Sequence, residues 1–215
     1  MPLPLSFYLG GTRSGKSELA EARVCELAAF LTSPQGAAPV LYAATAPHLP
    51  GDAALNERIR RHQLRRPAHW LTLECPLHPA RDIGEALARP PFRQEDGRPR
   101  PGVILLDCLA LWVSNRLFAL LDSAPSNASD AEAVPPDLPQ RLEAALHHEI
   151  EALLALMAQG GHRFVLVSVE TGLGGIGATP LTRMYADALG LVNQWVAAQA
   201  EDCRLVVAGK CLRLD

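Results

Sequence analysis

The sequence predicts an α/β fold with a mainly parallel central sheet flanked by helices. Short aliphatic runs alternate along the chain with longer stretches whose apolar positions recur at helical spacing. The strand-like runs are continuously apolar, the pattern of strands covered on both faces. Such strands are joined by right-handed crossovers through helices.

Leu3–Leu9 is the first apolar run, and it stops abruptly at Gly10-Gly11, so it reads as a buried strand. Ser17–Leu31 has helical spacing, with Glu18 and Glu21 in its first turns, where negative charge suits a helix N-terminus. Val40–Thr45 is the second strand. Asp52–Arg66 is charged and helix-prone, and Pro67 stops it. Trp70–Glu74 is a short strand, and Ala80–Ala88 is a helix. Residues 90–101 are polar and proline-rich, a surface loop. Val103–Asp107 is a hydrophobic strand ending on an acid, and Leu109–Leu121 is a helix. Residues 123–139 form another loop. Then come a helix at Leu142–Ala158, a strand at Phe164–Val169, a helix at Leu181–Ala200 and a final strand at Leu205–Ala208. The chain of 215 residues is read as one domain, 1–215, with loops near 90–101 and 122–139 and no internal repeat.

Composition narrows the function. At 48% hydrophobic and 20% charged, the chain can bury a core. A net charge of -3 argues against general nucleic-acid affinity. Lysine occurs only at positions 16 and 210; the other 18 of 20 basic residues are arginine. Cys25, Cys75, Cys108, Cys203 and Cys211 are odd in number with no C-x-x-C pair, so neither a disulfide framework nor a zinc site is signalled. The N-terminus has no basic region before an apolar core, and no run reaches the ~18–20 apolar residues of a membrane span. A cytoplasmic protein is the default expectation.

The most informative segment is Gly10-Gly11-Thr12-Arg13-Ser14-Gly15-Lys16-Ser17, which fits G-x-x-x-x-G-K-[ST] between a strand and a helix. Glycines let successive amides turn toward one anion, and the following helix N-terminus favours negative charge. Lys16 can reach the β and γ phosphates, and Ser17 can bind Mg²⁺ through its hydroxyl. This motif makes the expected fold P-loop NTPase-like. Asp107, at the end of an apolar strand, suits a second metal-holding position, with helix capping as its plain alternative. Arg58, Arg60, Arg61, Arg65 and Arg66 crowd nine residues around His62. Arg58, His62, Arg65 and Arg66 fall near one helical face, which would suit a triphosphate or a solvated surface. A neutral imidazole is a competent nucleophile toward phosphorus; His48, His69 and His78 lie nearby as alternatives.

Several patterns together resemble the bifunctional adenosylcobinamide kinase/adenosylcobinamide-phosphate guanylyltransferases of cobalamin biosynthesis. They are GGTRSGKS at 10–17, VLYAATA at 40–46, ERIRRHQLRRPAHWLTLE at 57–74, ILLDCLALWVSNRL at 104–117, VLVSVETGLG at 165–174 and GLVNQWVAAQAE at 190–201. The most specific pattern, R-I-x-x-H…R-P-x-x-W-x-T-x-E, is carried by Arg58, Ile59, His62, Arg66, Pro67, Trp70, Thr72 and Glu74. The resemblance implies phosphorylation of adenosylcobinamide by ATP or GTP, then transfer of GMP from GTP through a guanylylated His62. It also implies that Glu74 and Asp107 contact the guanine nucleotide or its Mg²⁺, that Thr45 lies near it, and that the protein is a homotrimer. The chain departs from the family's N-E-V-G-x-G-I-V-P at 169–178, where Val169 replaces Asn, and from F-R-D at Tyr185-Ala186-Asp187. The competing readings are a single-activity P-loop small-molecule kinase and a nucleotide-switch protein.

Overall fold

A computed structural model describes residues 2–32, 36–46, 51, 53–123 and 134–214. His48, residues 124–133 of the second long loop and the Arg58 side chain lie outside the described residues. Strands and helices alternate as β1 (Leu3–Gly10), α1 (Lys16–Phe30), β2 (Val40–Ala44), α2 (Ala53–Arg65), β3 (Leu71–Glu74) and α3 (Pro79–Leu87). They continue as β4 (Val103–Asp107), α4 (Leu109–Asp122), α5 (Leu138–Ala158), β5 (Arg163–Val167), α6 (Pro180–Ala197), β6 (Ala200–Val207) and β7 (Lys210–Leu214).

The strands form one sheet in the order β3-β2-β4-β5-β1-β6-β7. Every pairing is parallel except that of β6 with β7. Val103–Leu106 of β4 and Phe164–Val167 of β5 are buried at successive positions, so helices cover both faces. Helix α1 packs on β1, β4 and β5, while α3, α4 and α6 gather around α5. Phe7, Tyr42, Ile104, Trp112 and Phe164 fill the core between them.

Two expectations need correction at the C-terminal end. The strand expected at 205–208 begins at Ala200, and β7 follows it unforeseen. Both belong to a sheet edge whose residues are largely half-buried or exposed, so neither forms the apolar run that marked the central strands. Their turn is the pair Ala208-Gly209, with φ of 50° and 73°. Positive φ at both central residues is what a tight hairpin with right-handed twist requires. Helix α5 also starts four residues earlier than the expected Leu142, at Leu138, with Pro139 in its first turn.

Candidate active site

The loop after β1 is held by its own backbone. Arg13 and Gly15 adopt positive φ, 59° and 93°, and reverse the chain before α1 begins. The Ser14 N–H donates to the Gly11 carbonyl at 3.3 Å, and the Gly209 N–H donates to the Ser14 carbonyl at 2.8 Å. The β6–β7 turn thus braces the loop from behind. A Cβ on Gly10 would lie 2.4 Å from the Val206 carbonyl oxygen, so only glycine fits there. Lys16 is 5% exposed, and its Nζ donates to the Gly11 carbonyl at 3.1 Å, which keeps the ammonium over the loop. The Ser14 hydroxyl is buried without a hydrogen-bond partner among the described residues, a donor suited to an anion.

An open cleft surrounds this loop. It is lined by Thr12, Arg13, Ser14, Gly15, Lys16, Ser17 and Glu18, and across from them by Glu57, His62 and Arg65 of α2. Arg65 bonds Glu18 and reaches Glu21 at 3.2 Å, tying α2 to α1. Burial works against ionisation of Glu18, but its own backbone hydrogen bond and Arg65 outweigh it and lower the pKa. Burial of Glu21 prevails over Arg65, so its pKa is raised.

A second cleft adjoins the first. Its apolar wall is Ala44, Ala46, Ile59 and Leu111; its polar groups are His62, Gln63, Arg66, Thr72, Glu74 and Asp107. That mixture of apolar wall and few convergent polar groups suits a small-molecule site. The Tyr42 hydroxyl donates to Asp107 Oδ2 at 2.6 Å. Burial, reinforced by Asp107, pushes the Tyr42 pKa well above its usual value, so the phenol stays a donor. The Arg66 guanidinium lies 3.4 Å from the Tyr42 ring centroid, a cation–π contact. His62 lines both clefts, with Nδ1 3.6 Å from Asp107 Oδ2 and 3.4 Å from Arg65 Nη2.

The expected residues therefore divide between two pockets. Gly10 and Gly11 shape the loop after β1; Thr12 to Ser17, His62 and Arg65 meet at its cleft, and Glu74, Asp107 and Arg66 meet in the second. Arg66 does not share the face of Arg65, because α2 ends at Arg65 and the chain turns before Pro67. Thr45 is 0% exposed and lies on neither wall; its hydroxyl donates to the Cys108 carbonyl at 2.7 Å and accepts from the Cys108 N–H at 2.8 Å. Its part is to hold the chain beside Asp107. His69 lines neither cleft, and His78 sits 3.8 Å from Glu149 instead.

Sequence reasoning missed Tyr42, Asn115 and Gly209. A tyrosine inside a buried strand needs a partner for its hydroxyl, which was the available signal for Tyr42. Asn115 Nδ2 donates to Thr45 O at 2.8 Å and to Pro76 O at 3.0 Å, stapling the ends of β2 and β3. Its partners are about 40 and 70 residues away in sequence, so no local pattern announces it.

A glycine-rich loop between a parallel strand and a helix, with an acid at the tip of the strand two places along, defines a P-loop nucleotide-binding α/β protein. The family model described as cobinamide kinase / cobinamide phosphate guanyltransferase matches residues 6–214, and the chain belongs to that family of nucleotide-using transferases. Similar proteins include the bifunctional adenosylcobalamin biosynthesis protein CobP of Pseudomonas aeruginosa, 38% identical over 94% of this chain and 91% of that protein. The CobU proteins of Salmonella typhimurium and Escherichia coli, both named bifunctional adenosylcobalamin biosynthesis proteins, are 36% and 33% identical, each over 93% of both chains. Among the described residues no helix is long and apolar enough to cross a membrane.

Proposed function

We propose that this protein phosphorylates the amino-propanol hydroxyl of adenosylcobinamide and then transfers GMP from GTP to the resulting phosphate, giving adenosylcobinamide-GDP. His62 carries the GMP between donor and acceptor. The observation that supports this reading is the position of His62, whose imidazole borders the phosphate-binding loop on one side and the Glu74–Asp107 pocket on the other.

Asp107 draws the Nδ1 proton of His62, leaving the Nε2 lone pair for the α-phosphorus of GTP. The new N–P bond forms as the bond to the α,β-bridging oxygen breaks, and pyrophosphate departs. The loop amides, Lys16 and Arg65 stabilise its charge. A phosphate oxygen of the corrinoid then displaces His62 from phosphorus. Glu74 and Arg66 bind the guanosine part in the second cleft. Oxygen donors suit Mg²⁺. The Ser17 hydroxyl and the Asp107 carboxylate would hold it, and it would offset phosphate charge.

The test is mass spectrometry of the protein incubated with GTP and Mg²⁺. A GMP adduct is expected on the peptide containing His62. His62→Ala should lose it completely while still phosphorylating the corrinoid. No adduct on the parent protein would defeat the guanylyl-transfer reading and leave a single-activity kinase.

A further inference from the structure

Phosphorylating an alcohol releases a proton, and none of the groups assigned above is placed to take it. Four of the nearby carboxylates are already committed. Glu18 and Glu21 hold Arg65, Glu57 is bonded twice to Arg60 at 2.8 and 3.0 Å, and Asp107 accepts from Tyr42 and faces His62. Glu74 is given to the guanosine part in the second cleft, and a further carboxylate, Glu170, follows β5 in the chain. That strand lies between β1 and β4, so the chain leaving it emerges between the phosphate-binding loop and Asp107. Open α/β sheets place their ligands at this carboxyl edge.

The backbone there is fixed to β1. The Ser168 N–H donates to the Tyr8 carbonyl at 2.9 Å, and the Glu170 N–H donates to the Gly10 carbonyl at 3.3 Å. Asn193 Nδ2 donates to the Val169 carbonyl at 3.0 Å. The Glu170 side chain is oriented by one hydrogen bond, Oε1 accepting from the Gly172 N–H at 2.7 Å. Among the described residues it has no ion-pair partner, and it is half-buried. The backbone of Glu170 is bonded to the glycine that opens the loop, and its carboxylate, oriented by Gly172 and in no ion pair among the described residues, has the attributes of a base.

We infer that Glu170 is the proton acceptor of the kinase step and has no part in guanylyl transfer; this rests on the function proposed above. The corrinoid hydroxyl gives its proton to the Glu170 carboxylate as its oxygen bonds to the γ-phosphorus. The bond from γ-phosphorus to the β,γ-bridging oxygen breaks, and its electron pair leaves on the nucleoside diphosphate.

Glu170→Gln tests the assignment, because the amide oxygen can still accept from Gly172 while the basic group is gone. ATP-dependent phosphorylation of cobinamide should fall in kcat by about 100-fold or more. KM for ATP and the rate of GMP labelling from GTP should stay within about twofold, and Glu170→Asp should recover part of the lost rate. An equal fall in both activities would assign Glu170 to the scaffold and overturn the inference, and unchanged kinase activity would overturn it as well. If the parent takes GMP from GTP but phosphorylates no cobinamide, the kinase half of the proposed function is wrong and the inference falls with it.

Discussion

The two clefts that meet at His62 are built in opposite ways. The cleft proposed to take the phosphates is mostly one continuous octapeptide, residues 10–17, whose shape comes from backbone dihedrals and local hydrogen bonds. The neighbouring cleft takes its polar groups from four separate elements: Tyr42 on β2, His62 on α2, Glu74 on β3 and Asp107 on β4. An octapeptide that wraps an anion can bind any polyphosphate. A cleft assembled from four elements is able to discriminate, because every wall can be changed separately, and it depends on the strand ends keeping their spacing. The difference predicts which changes disable both activities and which disable one.

The largest effect is expected at the shared, contiguous cleft. Lys16→Ala should lower kinase turnover and GMP labelling together, each by about 10²–10³-fold, since both reactions place phosphates on the same loop. Steady-state assays of the two activities check this. If one activity survived, the two reactions would not share the phosphate site at residues 10–17.

The same contrast explains what could be read from the sequence. The alternation of elements and the central strands were legible, because a strand buried on both faces must be apolar throughout. The loop at 10–17 was legible because all its determinants are adjacent. In the second cleft Asp107 was legible from its place at the end of an apolar strand and His62 as one of several candidate histidines, while family resemblance singled out His62 and supplied Glu74. Tyr42 and Asn115 act across 65 to 70 residues of chain, and only the folded sheet brings their partners near. Gly209 braces Ser14 from a hairpin whose outer strand is too exposed to show as an apolar run. Thr45 was expected beside the nucleotide, yet its hydroxyl is fully engaged with Cys108.

Thr45→Val should separate the two clefts with an effect of intermediate size. It removes two buried hydrogen bonds and leaves the Cys108 N–H unsatisfied, at a cost of about 1–3 kcal/mol in stability. Denaturant unfolding measures that loss. With Asp107 no longer held in register, KM for GTP in the labelling reaction should rise by about tenfold, an energy of about 1.4 kcal/mol. Affinity for inorganic tripolyphosphate, which engages only the first cleft, should stay the same. Equal losses for both ligands would mean that the clefts are one mechanical unit.

The smallest effect concerns whether the strand ends open at all. The Cys75 N–H donates to the Ala44 carbonyl at 2.8 Å, which joins the ends of β3 and β2 beneath the second cleft. The Cys75 thiol is buried, and burial, with Asp82 and Glu149 adding to it, pushes its pKa up to about 12. Thiolate is the reactive form, so an alkylating reagent at pH 8 should leave Cys75 unmodified, while Cys25, exposed on α1, is labelled within minutes. In Thr45→Val the Asn115 staple and the Cys75–Ala44 bond remain, so labelling of Cys75 should rise only severalfold. Asn115→Asp puts a carboxylate against the carbonyls of Thr45 and Pro76, and labelling should rise further. Peptide mapping reads both thiols in one sample, and Cys25 corrects for reagent strength. If Cys75 reacted as fast as Cys25 in the parent, the strand ends would be open already, and discrimination would have to come from somewhere other than their spacing.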